Sequence, residues 1–202
     1  MISFIPVNSG TSNYKIKKSN FISFIKRINN NSDFKSWLSI IKKDHFSASH
    51  FCWAYQVYSG LNLEINQSDA GEPSGTAGKP ILKSLKQHNI VNCGIVVVRY
   101  FGGKKLGRNG LIDAYSRSAL DVIRTIATAE YIKKDLYYIH LPSVNIAVLS
   151  KLLSTYKESN VKENNEKFII LELYIEARNR AKLKENLYKL VKGDFFLEKI
   201  NS

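Results

Sequence analysis

"CGIVVVRYFGGKKLGRNGL", Cys93 to Leu111, decides how the first part of this chain folds. Ile95 and three valines make a continuous β-branched run, which reads as a buried strand. A turn with four glycines follows, Gly102, Gly103, Gly107 and Gly110, where the backbone can bend sharply and approach other groups closely. Beyond it Leu111, Ala114, Tyr115, Ser118, Ala119, Val122 and Ile126 fall on one face of a helix about four turns long. The segment is therefore strand, glycine turn, helix. Lys104, Lys105 and Arg108 surround the helix start, and a helix N-terminus with three cations suits a phosphate backbone. Tyr100 and Phe101 precede the turn, placed either to pack inward or to stack on a base. No GxGxxG is present, so a dinucleotide-binding fold gains no support.

Upstream, Tyr14 to Ile28 reads as one strand. Cap-type residues then introduce an amphipathic helix with Phe34, Trp37, Leu38 and Ile41 inward. Phe51 to Tyr58 is an aromatic strand. A turn at Ser59-Gly60 and a short strand around Leu63 follow. "QSDAGEPSGTAGKP", Gln67 to Pro80, is too long and too punctuated for a plain hairpin, and a helix, "PILKSLKQHN", leaves it. A Walker A reading of this loop fails on spacing: Gly78-Lys79 would need glycine at 73 and Ser or Thr at 80, and both are proline. Ser74, Gly75 and Thr76 sit just before the helix, where they either offer amides to an anion or simply cap it. Asp69 and Glu72, with His45 and His50 upstream, raise acid–base or metal chemistry. No HExxH or HxH accompanies them, so ion pairing is the simpler expectation and no metal site is expected. Cys52 beside His50 lacks the third, orienting group that a nucleophile pair needs.

Downstream the pattern resets near residues 131–135. "KDLYYIHLP" is a strand ended by proline. "SVNIAVLSKLLSTY" is a helix with Ile146, Leu149, Leu152 and Leu153 buried. "YKESNVKEN" and "KFIILELYIEA" pair as a hairpin around Asn164-Asn165. "NRAKLKENLYKLV" is a helix capped by Asn179 and stopped at Gly193, and "DFFLEKI" is the last strand. β-α-β-β-α-β is the split pattern of a ferredoxin-like unit. The expected organisation is α+β in two domains, 1–132 and 133–202. Tyr137, Phe168 and Phe195 are expected to pack under the helices of the second rather than serve a partner.

The chain has 202 residues and carries 30 Lys and Arg against 17 Asp and Glu, a net charge of +13. Such a balance favours a polyanionic partner. Residues 1–132 hold 17 basic and 8 acidic side chains, and 133–202 hold 13 and 9, so the polyanion site is expected in the first domain. Cys52 and Cys93 are isolated and suit a reducing compartment. With no signal-like start and no long apolar run, a cytoplasmic location and no membrane contact are expected.

"DAGEPSGTAGKPIL", "VVVRYFGGKKLGRNGL" and "AYSRSAL", with "KKSNFIS" and "HFCWAY" upstream, resemble the IMPACT family, whose bacterial members are called YigZ-like. The resemblance is dense from Lys17 to Ile126. It implies a first domain with helices on one side of a sheet, akin to EF-G domain IV, and a ferredoxin-like second domain akin to domain V. It also implies a link to translation, a suspected nucleic-acid or ribosome contact, and no firmly associated enzyme activity. Eukaryotic members carry a further N-terminal domain for a kinase pathway; at 202 residues that pathway is not expected here. Mapped by motif, the family positions include His50, Trp53, Asp69, Glu72, Pro73, Ser74, Gly75, Thr76, Arg99, Tyr100, Phe101 and the glycine turn. The chain departs from the family at Arg108-Asn109, where Asn109 is expected to tolerate a left-handed turn.

The preferred reading is a non-enzymatic RNA- or ribosome-binding protein linked to translation. Arg99, Gly102, Gly103, Lys104, Lys105, Gly107, Arg108 and Gly110 form its anion-binding loop, with no catalytic residue and no cofactor. The alternative is an enzyme whose pocket, lined by Asp69, Glu72, Ser74, Thr76, His50 and Arg99, takes a small anionic substrate. Oligomeric state is left open.

Overall fold

The computed structural model describes residues 2–59, 61–142, 146–156, 159–164, 167–176, 179–191 and 195–200, with only the backbone at Ile146. They fall into two compact units, one within 1–59 and 63–131 and the other within 60–62 and 132–202.

The first unit runs β1 (Ser3–Pro6), β2 (Gly10–Ile16), β3 (Ser19–Arg27), α1 (Asn31–Asp44), β4 (His50–Ser59), β5 (Asn62–Ser68), α2 (Gly78–Gln87), β6 (Cys93–Tyr100), α3 (Gly107–Ile123) and β7 (Thr128–Tyr131). The segment read as a single strand from Tyr14 to Ile28 is a hairpin. Lys17 and Lys18 form its turn, both with positive φ, 44° and 67°. Two-residue hairpin turns need that geometry, but Asn and Gly usually supply it, so two lysines gave no signal. Asn30 caps α1, its side chain accepting from the Asp33 amide at 2.8 Å. β1 and β7, four residues each, pair antiparallel with each other. They are too short for any period to show.

The main sheet has the order β2-β3-β6-β4-β5. β6 sits at its centre, antiparallel to β3 and β4. Alternation along β6 divides the unit into two cores. Ile95 and Val97 pack with Ile81, Leu85, Leu111, Tyr115 and Val122 of α2 and α3. Val96 and Val98 pack with Phe34, Leu38 and Ile41 of α1. Helices thus cover both faces of the sheet, and the expectation of helices on one side is corrected. A strand buried on both faces needs a cover on each.

The second unit runs β8 (Lys134–Pro142), α4 (Ile146–Thr155), β9 (Ser159–Asn164), β10 (Phe168–Glu176), α5 (Arg180–Val191) and β11 (Phe196–Ile200). Its antiparallel sheet has the order β11-β8-β10-β9, the ferredoxin-like arrangement. Period-two alternation sends Tyr137, Ile139 and Leu141 of β8 and Ile169, Leu171, Leu173 and Ile175 of β10 under Leu152, Leu183 and Leu187. Tyr137 is buried and Phe195 packs against this core, whereas Phe168 is 37% exposed. Asn165, Gly193 and the Ile146 side chain lie outside the described residues. Among those residues no helix is long and apolar enough to cross a membrane.

Candidate functional site

An arginine inside an apolar strand must find a counter-charge or carry a heavy desolvation cost. Register sets Arg99 between Phe21 on β3 and His50 on β4, all on the α2/α3 face. Its Nη1 donates to Glu72 Oε1 at 2.6 Å, and both side chains are buried, 5% and 3% exposed. Glu72 arrives from the loop between β5 and α2. The Tyr115 hydroxyl, on α3, donates to the same oxygen at 2.8 Å. Burial first, with Cys52 and Glu72 adding, pushes that hydroxyl's pKa up and keeps it a donor. Arg99 Nη2 and the Gly102 amide both donate to Ser19 Oγ, at 3.4 and 3.2 Å. Arg99 Nε is buried and has no hydrogen-bond partner among the described residues.

His50 Nδ1 lies 3.0 Å from the Ala70 carbonyl oxygen. A carbonyl only accepts, so Nδ1 holds a proton and the ring is fixed. Its Nε2 stands 4.0 Å from Glu72 Oε1, beyond hydrogen-bond reach. Cys52 is fully buried. Its sulfur sits 2.9 Å from the Asp69 carbonyl oxygen and 3.2 Å from the Tyr115 hydroxyl. Burial pushes its pKa to about 12. Among the described residues no three His, Cys, Asp or Glu side chains converge to hold a metal ion.

Asp69 does structural work. Its carboxylate accepts from the amides of Gly75 at 2.8 Å and of Ala77 and Gly78 at 2.9 Å. Burial alone would raise its pKa, but those three bonds and nearby Lys79 outweigh it and hold the group below its usual value. The start of α2 is thus filled by an internal anion. Neither of the two expectations for this loop holds: the amides are not open to a ligand, and neither Ser74 nor Thr76 caps the helix. The N-cap residue is Ala77 and makes no side-chain bond. The Thr76 hydroxyl donates to the Pro73 carbonyl at 2.6 Å and is fully buried. Ser74 is exposed, and its carbonyl accepts from Arg108 Nη2 at 2.9 Å.

The glycine turn ends earlier than its sequence suggests, because α3 already starts at Gly107. Gly102 is required by contact: a Cβ there would lie 2.0 to 2.5 Å from the backbone of Lys18 and Ser19. The left-handed positions are Gly103 and Gly107, φ 82° and 75°. Asn109 is helical, so its tolerance of such a conformation is not used. Among the described residues no side chain caps α3, and its first turn holds no acid.

Between the two loops opens a cleft of about 390 Å³ lined by His50, Glu72, Pro73, Arg99, Phe101, Lys105, Leu106, Gly107, Arg108 and Leu111. Phe101 is 48% exposed, and the Arg99 guanidinium sits 5.2 Å from its ring centroid. Lys104, Lys105 and Arg108 are exposed. Gly110 adjoins Leu106 but does not line the cleft. Asp69, Ser74, Gly75 and Thr76 support the cleft without lining it. Trp53 and Tyr100 are not brought to it. Alternation turns them to the α1 face, where Trp53 packs on Phe34 and Tyr55, and the Tyr100 hydroxyl meets His45 Nδ1 at 2.8 Å. That contact also removes His45 from the cluster. Sequence reasoning missed Tyr115 and Ser19 as site residues. A tyrosine on an otherwise apolar helical stripe was the available signal, since a buried hydroxyl needs a partner.

Residues 17–123 match the model of the Impact N-terminal domain, a span that contains every residue of the cleft. The chain belongs to the IMPACT family. IMPACT family member YvyE of Bacillus subtilis (strain 168) is 34% identical over 194 residues, covering 94% of this chain and 87% of that protein. IMPACT family member YigZ of Escherichia coli (strain K12) is 27% identical, covering 96% and 95%. A solved structure described as the crystal structure of an hypothetical protein superposes with a TM-score of 0.84 at 27% identity, over 100% of this chain and 98% of that one. The YvyE and YigZ similarities cover 94% and 96% of this chain and so extend beyond the span of the N-terminal domain, as does the superposition.

Proposed function

We propose that this protein is a non-enzymatic, cytoplasmic RNA- or ribosome-binding factor acting on translation, and that the loop 101–110 is its phosphate contact. The supporting observation is the charge around the cleft. Its one lining carboxylate, Glu72, is already neutralised by Arg99, while Lys105 and Arg108 on the rim and Lys104 beside them face solvent. The cations are thus left for an external polyanion, in a chain with net charge +13. The family's resemblance to elongation-factor domains supports translation as the setting.

The test is RNA affinity measured across a salt series. In Lys105→Ala/Arg108→Ala, log K against log salt flattens by about 0.7 per lost phosphate contact on single-stranded RNA. An unchanged slope overturns the proposal.

One observation favours a second reading, an enzyme for a small anionic substrate. His50 lines the cleft with its ring fixed through Nδ1, and among the described residues its Nε2 makes no hydrogen bond. Turnover of a small anionic metabolite that is lost in His50→Gln, together with an RNA salt slope unchanged in Lys105→Ala/Arg108→Ala, would put that reading in place of the first.

A further inference from the structure

We infer that the cleft receives one unstacked nucleotide of a single-stranded RNA, its base against Phe101 and its phosphate between Lys105 and Arg108. The inference rests on the RNA-binding reading and names the form of RNA that the site takes.

Phe101 is the observation that carries it. It follows directly on β6, whose residues are buried up to Arg99, yet its ring is 48% exposed. The Arg99 guanidinium lies on the ring at 5.2 Å and is itself held by Glu72 and Ser19. A large aromatic side chain is therefore fixed from one side by a buried cation and remains half open to solvent. That is a stacking platform with little freedom left to lose on binding. The walls continue it with Pro73, Leu106 and Leu111, which are apolar, and the two exposed cations stand at the rim.

Apolar wall inside and positive charge outside is the polarity of a nucleotide, whose base is flat and whose phosphate is charged. A cleft of about 390 Å³ is of small-ligand size. It takes one base and not a stack of them. A paired base in an A-form duplex has both faces covered by its neighbours, and the deep, narrow major groove hides its edges. Duplex RNA can therefore touch the cationic rim but cannot reach Phe101. Loops, ends and single strands can.

The experiment compares a 12-nucleotide oligouridylate, which does not self-pair, with a 12-base-pair RNA duplex. Fluorescence anisotropy is read on the full chain across a salt series, and affinities are compared at equal salt. Wild-type protein binds the single strand more tightly. Phe101→Ala weakens single-strand binding by about fivefold to 150-fold, the range for one lost stacking partner. It leaves duplex binding and the single-strand salt slope unchanged. Phe101→Tyr retains wild-type affinity. Phe101 is exposed, so both variants fold, as a thermal melt checks. The inference is overturned if Phe101→Ala binds the single strand like wild type, or if the duplex binds as tightly as the single strand. It is also overturned if free uridine monophosphate binds as tightly as the 12-mer, since the occupant is then a free nucleotide. In those cases a normal salt effect of Lys105 and Arg108 leaves the RNA-binding reading standing. Binding of neither RNA at low salt removes that reading and the inference together.

Discussion

Helices α2 and α3 both begin at glycine-rich loops on the same face of one sheet, and their N-termini end in opposite states. The start of α2 is occupied by the Asp69 carboxylate, which takes three backbone amides. The start of α3 has no side-chain cap and no acid in its first turn, and Lys104, Lys105 and Arg108 cluster around it. Both loops would pass for phosphate cradles by composition. The difference shows that glycine, small residues and a helix start do not make an anion site. What decides is whether the protein has already supplied the anion. The first loop is an internal ion-and-amide clasp, and among the described residues the second supplies no anion to its own helix start.

The first loop is tied through Glu72 to Arg99 at the end of β6, just before the second loop, so the largest effect comes from breaking that pair. Arg99→Met leaves Glu72 as an uncompensated buried charge and is expected to lower unfolding free energy by about 3–5 kcal/mol, read by urea denaturation. Adding Glu72→Gln removes the stranded charge while retaining an acceptor for Tyr115, so the double variant is more stable than Arg99→Met alone. If the two changes simply add, the pair does not couple the first loop to β6.

A smaller effect separates two adjacent glycines of the second loop. Gly102→Ala places a methyl group within 2.0 to 2.5 Å of the Lys18–Ser19 backbone, which cannot yield as a side-chain tip would. The β2–β3 turn must shift, at a cost of about 1–3 kcal/mol by analogy with other overpacked sites. Gly103→Ala meets no atom within 4 Å, and only its φ of 82° opposes it. It costs about 1–2 kcal/mol. Thermal melts of the two variants rank them, and the reverse order would remove the contact with Ser19 as the anchor of the loop.

Much of this arrangement was written in local pattern. The β-branched run of β6, the helical stripe of α3 and the βαββαβ order each rest on periodicity, which neighbouring residues carry by themselves. Arg99 reads with the anion-binding loop, because its buried partner Glu72 lies 27 residues away in sequence. What stayed hidden depends on partners distant in sequence or on choices the chain leaves open. Asp69 looked like an acid–base candidate because its three amides lie six to nine residues ahead in a folded loop. Trp53 looked like a site residue until its strand parity against β6 was known. The placement of α1 on the second face follows from β6 needing two covers, a consequence of the strand's own composition that periodicity in α1 does not reveal.

The smallest effect tests the filled helix start directly. Asp69→Asn keeps the size of the side chain and one acceptor oxygen but removes the charge facing the N-terminus of α2. At pH 7 it is expected to cost about 1–2 kcal/mol, the worth of a strong N-terminal cap. The sign of its pH dependence follows from the lowered pKa of Asp69. A carboxyl group that is more acidic folded than unfolded contributes stability that is fully present above its unfolded pKa, near 3.8, and is lost as pH falls through the lower folded value. Wild type and Asp69→Asn therefore differ in denaturation midpoint at pH 7, and the gap closes as the pH is taken below 3.8. A gap that holds constant into acid would mean that shape rather than charge fills the start of α2, and the contrast with the open start of α3 would then be one of packing alone.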